Sequence, residues 1–226
     1  MDIDFVITWV NMNDSQWKAD FIDYSRRADN EKNSVSEARF RDYGLLKYWF
    51  RGVEKFAPWV RKIHFVTSGQ KPDWLDTSNP KIHLVDHKDY IPSQFLPTYN
   101  SVVIERYMYK IPGLAEHFVY FNDDFYIINK VGEERFFRNG LPCDIAAFLY
   151  NPSWSQWYRR IKNNLKIING NFDKQEVMAR DHDKWFDKSY GSHALWNYLM
   201  KPYNKFITLR TPHNAQPYLK TTFERV

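Results

Sequence analysis

One cysteine, Cys143, stands in a chain of 226 residues. An internal disulfide and a cysteine-built zinc site are therefore excluded, which fits a reducing compartment. No apolar run approaches the ~20 residues that a membrane-spanning helix needs. The first residues read as the start of a strand rather than a leader, so the expected location is the cytoplasm, at most at the inner face of the membrane. Internal repeats and low-complexity tracts are absent, and no block of like charge stands out. Nucleic acid is consequently not an expected partner.

What the chain does have is aromatic side chains, 18% of residues, together with a net charge of +5. Nine Trp, fifteen Tyr and seventeen Phe offer stacking surface for sugar and base faces as well as material for a core. The mild positive excess suits a phosphate-bearing ligand or peripheral association with an anionic membrane face.

Residues 3–10, Ile-Asp-Phe-Val-Ile-Thr-Trp-Val, predict a buried strand that gives way to the polar turn Asn11–Asp14. Residues 63–67, 81–85 and 118–121 predict three more strands, each ending in a polar loop. Between them, residues 15–36 predict a helix and loop. Apolar residues recur at helical spacing over 36–56 and 100–110, with Pro112-Gly113 ending the last helix. Strands alternating with helices predict an α/β fold with a mostly parallel sheet and helices on both faces. In such sheets ligands bind at the carboxyl ends of the strands. Beyond about residue 140 the pattern is less regular, rich in Trp, Asn and Lys, and reads as a helical, aromatic-rich cap. The expected organisation is one domain over 1–226, with a core to about 140 and the cap over 141–226.

Asn122-Asp123-Asp124 follows the fourth strand directly. Two adjacent carboxylates at a strand end suit Mg²⁺ or Mn²⁺, which take one or two carboxylates plus ligand phosphates and water. A helix N-cap with an extra acid in the first turn would read the same way. His64 and His83 lie inside strand patterns and read as packed or surface residues, and His117 as structural. His213 lies in a polar, proline-flanked loop where an imidazole could act as general base. Arg39 and Asp42, at the start of a helical pattern, could hold phosphate and orient a hydroxyl, or could form a plain ion pair.

Taken in order, these segments resemble the Stealth family of capsular polysaccharide phosphotransferases, which includes the catalytic subunit of the lysosomal-enzyme N-acetylglucosamine-1-phosphotransferase. The first matching block is residues 3–11. The second runs from Arg39-Phe40-Arg41-Asp42 through residues 54–61, 65–75, 96–101 and 111–114 to Tyr120-Phe121-Asn122-Asp123-Asp124. The third is Arg210–Tyr218, with Ala215 where the family often has proline. A fourth family block, farther toward the C-terminus, has no counterpart before Val226.

The resemblance implies a nucleotide-sugar-transferase core, GT-A-like or Rossmann-like, and transfer of a sugar-1-phosphate from a UDP-sugar, commonly UDP-N-acetylglucosamine. The acceptor would be a sugar hydroxyl on a glycan or lipid-linked oligosaccharide, and UMP would leave. By the same resemblance Asp123 and Asp124 hold metal, and Thr8, Trp9, Asn11 and Asn122 contact the nucleotide. Arg39, Asp42 and His213 lie near the transferring phosphate or the acceptor, with Asp42 and His213 both open as the base. The competing expectations are a metal-dependent glycosyltransferase that releases UDP, and a shortened sugar-binding protein without activity.

Overall fold

The computed structural model describes residues 1–27, 43–149 and 156–225. Arg39 and Asp42 lie outside the described residues. Four of the apolar runs become parallel strands: β1 (Ile3–Thr8), β2 (Lys62–Thr67), β3 (Ile82–Asp86) and β4 (His117–Phe121). β1 pairs with β2 on one side and β4 on the other, and β2 pairs with β3. A fifth strand, β7 (Gln216–Leu219), lies antiparallel to β4, giving the order β3-β2-β1-β4-β7 among the described residues. The sequence reading did not anticipate β7. Its four residues include Pro217, and Pro fits an edge strand such as this one, where a missing N–H costs no ladder bond on the outer side.

Alternation along the strands decides which residues meet which layer. Ile3, Phe5 and Ile7 join Ile63, Phe65, Val119 and Phe121 on one face, covered by α2 (Leu46–Phe56) through Leu46, Trp49 and Val53. Val6, Val66, Val85, Phe118 and Tyr120 form the other face, covered by Met108, Ile111 and Leu114. α3 (Ser101–Arg106) and a 3₁₀ turn at Met108–Lys110 complete that layer, and Asn100 caps α3 by accepting from Val102 N–H at 3.0 Å. Within the helix expected over 36–56, residues 43–45 are not helical. Gly44 sits at φ +69°, left-handed backbone that ends right-handed helix, so α2 starts only at Leu46.

The chain divides into two compact units. Unit 1 comprises residues 1–143 and 214–226. It also contains α1 (Ser15–Arg27), the short antiparallel pair β5 (Phe137–Arg138) and β6 (Leu141–Pro142), and the final helix, whose range is Lys220–Glu224. Unit 2, residues 144–213, is helical: α4 (Gln156–Asn171), α5 (Lys174–Arg180), α6 (His182–Trp185) and α7 (Ala194–Met200). The helix after β7 is α8. Phe148, Met178, Trp185 and Phe206 form the core of unit 2.

Two buried polar side chains hold unit 2 together. The Asn197 amide accepts from Phe148 N–H at 2.8 Å and donates to the carbonyls of Ala146 and Trp185. The Lys174 ammonium, 1% exposed as a residue, donates to the carbonyls of Met200, Lys201 and Tyr203 at the end of α7. These carbonyls belong to the last residue of α7 and the turn that follows it, so the cation meets the negative end of the helix dipole. Burial pushes the Lys174 pKa down.

Candidate functional site

The order β3-β2-β1-β4 reverses direction between β1 and β4, so the loops after these two strands flank the point where open parallel sheets bind ligands. Thr8 ends β1 and Asn122 follows β4. Between them stands Tyr120, whose hydroxyl donates to Asn122 Oδ1 at 2.7 Å and lies 3.3 Å from Thr8 Oγ1 and 3.4 Å from Glu105 Oε1. Burial, then the Glu105 charge, pushes the Tyr120 pKa up, so the phenol keeps its proton and remains a donor. Three of the residues singled out from the sequence therefore converge here: Thr8 and Asn122 through a common tyrosine, and Asp123 directly after.

Asp123 and Asp124 are both exposed, on a turn closed by Phe125 N–H donating to Asn122 C=O at 3.2 Å. The segment that follows is fastened to α2. Val131 N–H donates to Phe56 C=O at 3.1 Å, and Trp59 Nε1 donates to Val131 C=O at 2.7 Å. Gly52 allows the close approach, since a Cβ there would sit 2.6 Å from the Ile127 carbonyl oxygen. The carboxylates thus project from a turn held at both ends. Among the described residues no three acids, histidines or cysteines gather into a ready metal cage. A pair of exposed carboxylates fits instead a hard cation that shares its coordination with ligand phosphates.

Trp9 is 8% exposed, its ring tilted against Phe65 at 5.6 Å. Asn11 is held by Gln70, which accepts from Asn11 N–H and donates to Asn11 C=O, both at 2.9 Å. The Asn11 side-chain oxygen accepts from Asn13 N–H. Gln70 thus ties the turn after β1 to the turn after β2, a link that spans 59 positions and that no local pattern announced. These turns, with residues 86–88 at the end of β3 and residues 96–99, bound a cavity of about 480 Å³. On one wall Trp17 meets Tyr99 edge to face at 5.4 Å. On another lies Ser68, whose hydroxyl is buried and has no hydrogen-bond partner among the described residues. A buried hydroxyl left unpaired costs about 1–3 kcal/mol, and a ligand in the cavity would recover it.

His87 also lines this cavity, and burial pushes its pKa down to about 4. It is therefore neutral near pH 7. Because its folded value lies below the ordinary one of about 6.5, the unfolded chain binds the proton first as pH falls. The His87 contribution to stability should decline between about pH 6.5 and 4 and level off below. His87→Asn should flatten that limb in urea melts taken across this range. An unchanged slope would contradict the assignment.

His213 is exposed and is the last residue of unit 2. Because β7 runs antiparallel to β4, Gln216 pairs with Tyr120, and the chain enters the sheet at the carboxyl end of β4. Two residues, Asn214 and Ala215, lie between His213 and that pairing.

Residues 39–143 match the family model described as Stealth protein CR2, conserved region 2. The capsular polysaccharide phosphotransferase WcwK of Streptococcus pneumoniae is 40% identical over 225 residues, which are 99% of this chain and 67% of that protein. The chain belongs to the Stealth family. The exopolysaccharide phosphotransferase cps2G of Lactiplantibacillus plantarum is 39% identical over all of this chain and 66% of its own length. The capsular polysaccharide phosphotransferase eps5J of Streptococcus thermophilus is 36% identical over 92% of this chain and 88% of its own. The chain thus spans about two thirds of the length of the first two Stealth relatives. The matched CR2 region contains β2, β3 and β4, the acidic pair and most of the cavity wall.

Proposed function

We propose that this Stealth protein transfers a sugar-1-phosphate from a UDP-sugar to a sugar hydroxyl, forming a phosphodiester and releasing UMP, in the synthesis of a capsular or extracellular polysaccharide. The observation that carries this reading is the Asp123-Asp124 pair, exposed at the end of β4 beside the reversal point of the sheet. A nucleoside fits the cavity after β1, β2 and β3, with Trp17 and Tyr99 for an aromatic base and Ser68 for a polar contact. The diphosphate then reaches toward the end of β4. Mg²⁺ or Mn²⁺ on Asp123 and Asp124, when bound, supplies positive charge for the diphosphate.

In the reaction an acceptor hydroxyl oxygen attacks the β-phosphorus. The bond from that phosphorus to the bridging oxygen breaks, UMP departs with the electron pair, and the hydroxyl proton goes to a base. Arg39 is proposed to hold the transferring phosphoryl oxygens, and Asp42 or His213 to take the proton. The sheet carries such chemistry as a nucleotide-sugar-transferase core.

The nucleotide product tests the proposal. With UDP-N-acetylglucosamine, Mn²⁺ and a panel of oligosaccharide acceptors, UMP release is expected. UDP release would mean attack at the anomeric carbon, an ordinary glycosyl transfer, and the phosphotransferase reading would fail. In the same assay His213→Ala should lower transfer about 10²-fold while leaving UDP binding nearly intact, as expected for loss of a base. Transfer at the wild-type rate would make Asp42 the base.

Tyr120→Phe removes one oxygen from beneath the site. Asn122 then loses its donor, and nucleotide binding in the presence of Mn²⁺ should weaken about tenfold, the scale of losing a group that orients a ligand-holding residue. Calorimetry with UDP and Mn²⁺ reads this directly. Equal affinity in the two proteins would show that the tyrosine serves packing alone.

A further inference from the structure

Unit 2 carries the whole charge excess of the chain. Residues 144–213 hold eleven Lys and Arg against six Asp and Glu, out of 32 and 27 in the full sequence. The remainder, unit 1, is balanced at twenty-one of each. Within unit 2 the longest helix, α4, contains no acidic residue, and Lys162 and Lys166 stand exposed one turn apart on it. Lys201 and Lys205 are exposed just beyond α7.

The same unit exposes large apolar side chains. Half or more of the surface of Ile167, Phe172, Leu195, Tyr198, Leu199 and Tyr203 is accessible to solvent. Leu195, Tyr198 and Leu199 share one face of α7 by their spacing of three and four. Tyr198 continues into a cationic edge, since its ring lies 4.5 Å from Phe186 and the Lys201 ammonium lies 5.6 Å from the Phe186 ring. Single exposed apolar residues are ordinary, whereas a helix face of three that continues to the Lys201 ammonium is not.

We propose that unit 2 docks on the surface of an anionic lipid bilayer, using the apolar face of α7 and the cations of α4 and the segment after α7. Charge decides the occupant. Apolar faces on helices rich in Lys bind interfaces that combine hydrocarbon with negative headgroups. A second copy would set like charge against like charge across a symmetric contact. No described helix is long and apolar enough to cross a membrane, so the attachment is peripheral. This inference stands apart from the transfer reaction and from the acidic pair.

Co-sedimentation of the full chain with vesicles provides the test. Binding to phosphatidylcholine vesicles containing phosphatidylglycerol is expected, with weakening as salt rises. Phosphatidylcholine alone should bind far less. Lys162→Glu with Lys166→Glu should lower partitioning by at least about 25-fold, at about fivefold for each cation lost near the surface. Leu195→Ser with Leu199→Ser should lower it as well, at an unchanged melting temperature. Lys47→Glu with Lys55→Glu, an equal change of net charge on α2 in unit 1, should leave it unchanged. Equal binding to both vesicle types would overturn the proposal, as would an equal loss in the α2 control. So would light scattering that reveals a dimer dissociated by the leucine substitutions.

Discussion

Asp123→Asn or Asp124→Asn is expected to reduce metal-dependent transfer about 10³-fold or more while the protein stays folded. Both carboxylates are exposed on a turn whose flanks are held by backbone and by Trp59. Replacing either by its isosteric amide therefore leaves the packing unchanged. The amide loses the negative charge that a hard divalent cation requires. Substitutions one shell farther from a metal already cost about 10–100-fold, so loss of a ligand belongs beyond that range. Mn²⁺ titration of wild type and variants, read by UDP binding and by product formation, checks the result. Full transfer by either variant, or by wild type in excess chelator, would remove the metal from the proposal.

Asp4→Asn is expected to destabilise the fold by about 3–5 kcal/mol, since a fully buried carboxylate gives up hydrogen bonds that are worth about 1.5–3 kcal/mol each when one partner is charged. That is a large share of the ~5–15 kcal/mol that holds a typical domain together. Asp4 is fully buried in β1 and accepts four hydrogen bonds. Two come from Arg61, from Nε at 2.9 Å and Nη2 at 2.5 Å. A third comes from His64 Nε2 at 2.9 Å and a fourth from Ala115 N–H at 2.8 Å. His64 in turn shares a hydrogen with His83 across 2.9 Å between their Nδ1 atoms, carrying the chain of contacts from β1 through β2 to β3. An asparagine would turn an NH₂ group toward these donors and leave the Arg61 charge without its partner.

The pH dependence has a definite sign. Burial alone would push the Asp4 carboxyl up, but the hydrogen bonds from His64, Arg61 and Ala115 outweigh it and hold the pKa below the ordinary value. A carboxyl depressed in the folded state contributes stability above about pH 4, and that contribution drains away as pH falls through the folded value. This limb lies below the one assigned to His87, so the two separate in urea midpoints recorded from pH 7 to 3. Asp4→Asn should lose the lower limb. Equal midpoints for Asp4→Asn and wild type at neutral pH would refute the account.

Much of the site-bearing half was legible residue by residue. The runs 3–10, 63–67, 81–85 and 118–121 predicted strands whose observed bounds differ by at most two residues at either end. Each does give way to a polar loop, and Asn122-Asp123-Asp124 does stand at the end of a parallel strand. Trp9 and Gln70 show where that kind of reading stops. Trp9 belongs to the core by the same alternation that makes β1 a strand. Gln70 looks from sequence like one more turn residue, and only its two bonds to Asn11 give it a place in the site. His64 and His83 were readable as strand residues, packed or at the surface, but not as partners of each other and of Asp4.

By itself, then, the sequence determined the α/β class, the main strands and the acidic pair, because periodicity and composition report how each residue meets its own strand or turn. Tertiary structure alone decided the order β3-β2-β1-β4, the antiparallel return of β7 beside Tyr120, the closure of the cavity by Gln70, and the burial of Asp4 against Arg61 and His64. Those features join positions about 60 to 110 residues apart. Local propensity carries no term for such separations, and they are fixed only when the strands align in register and the buried polar groups must find partners.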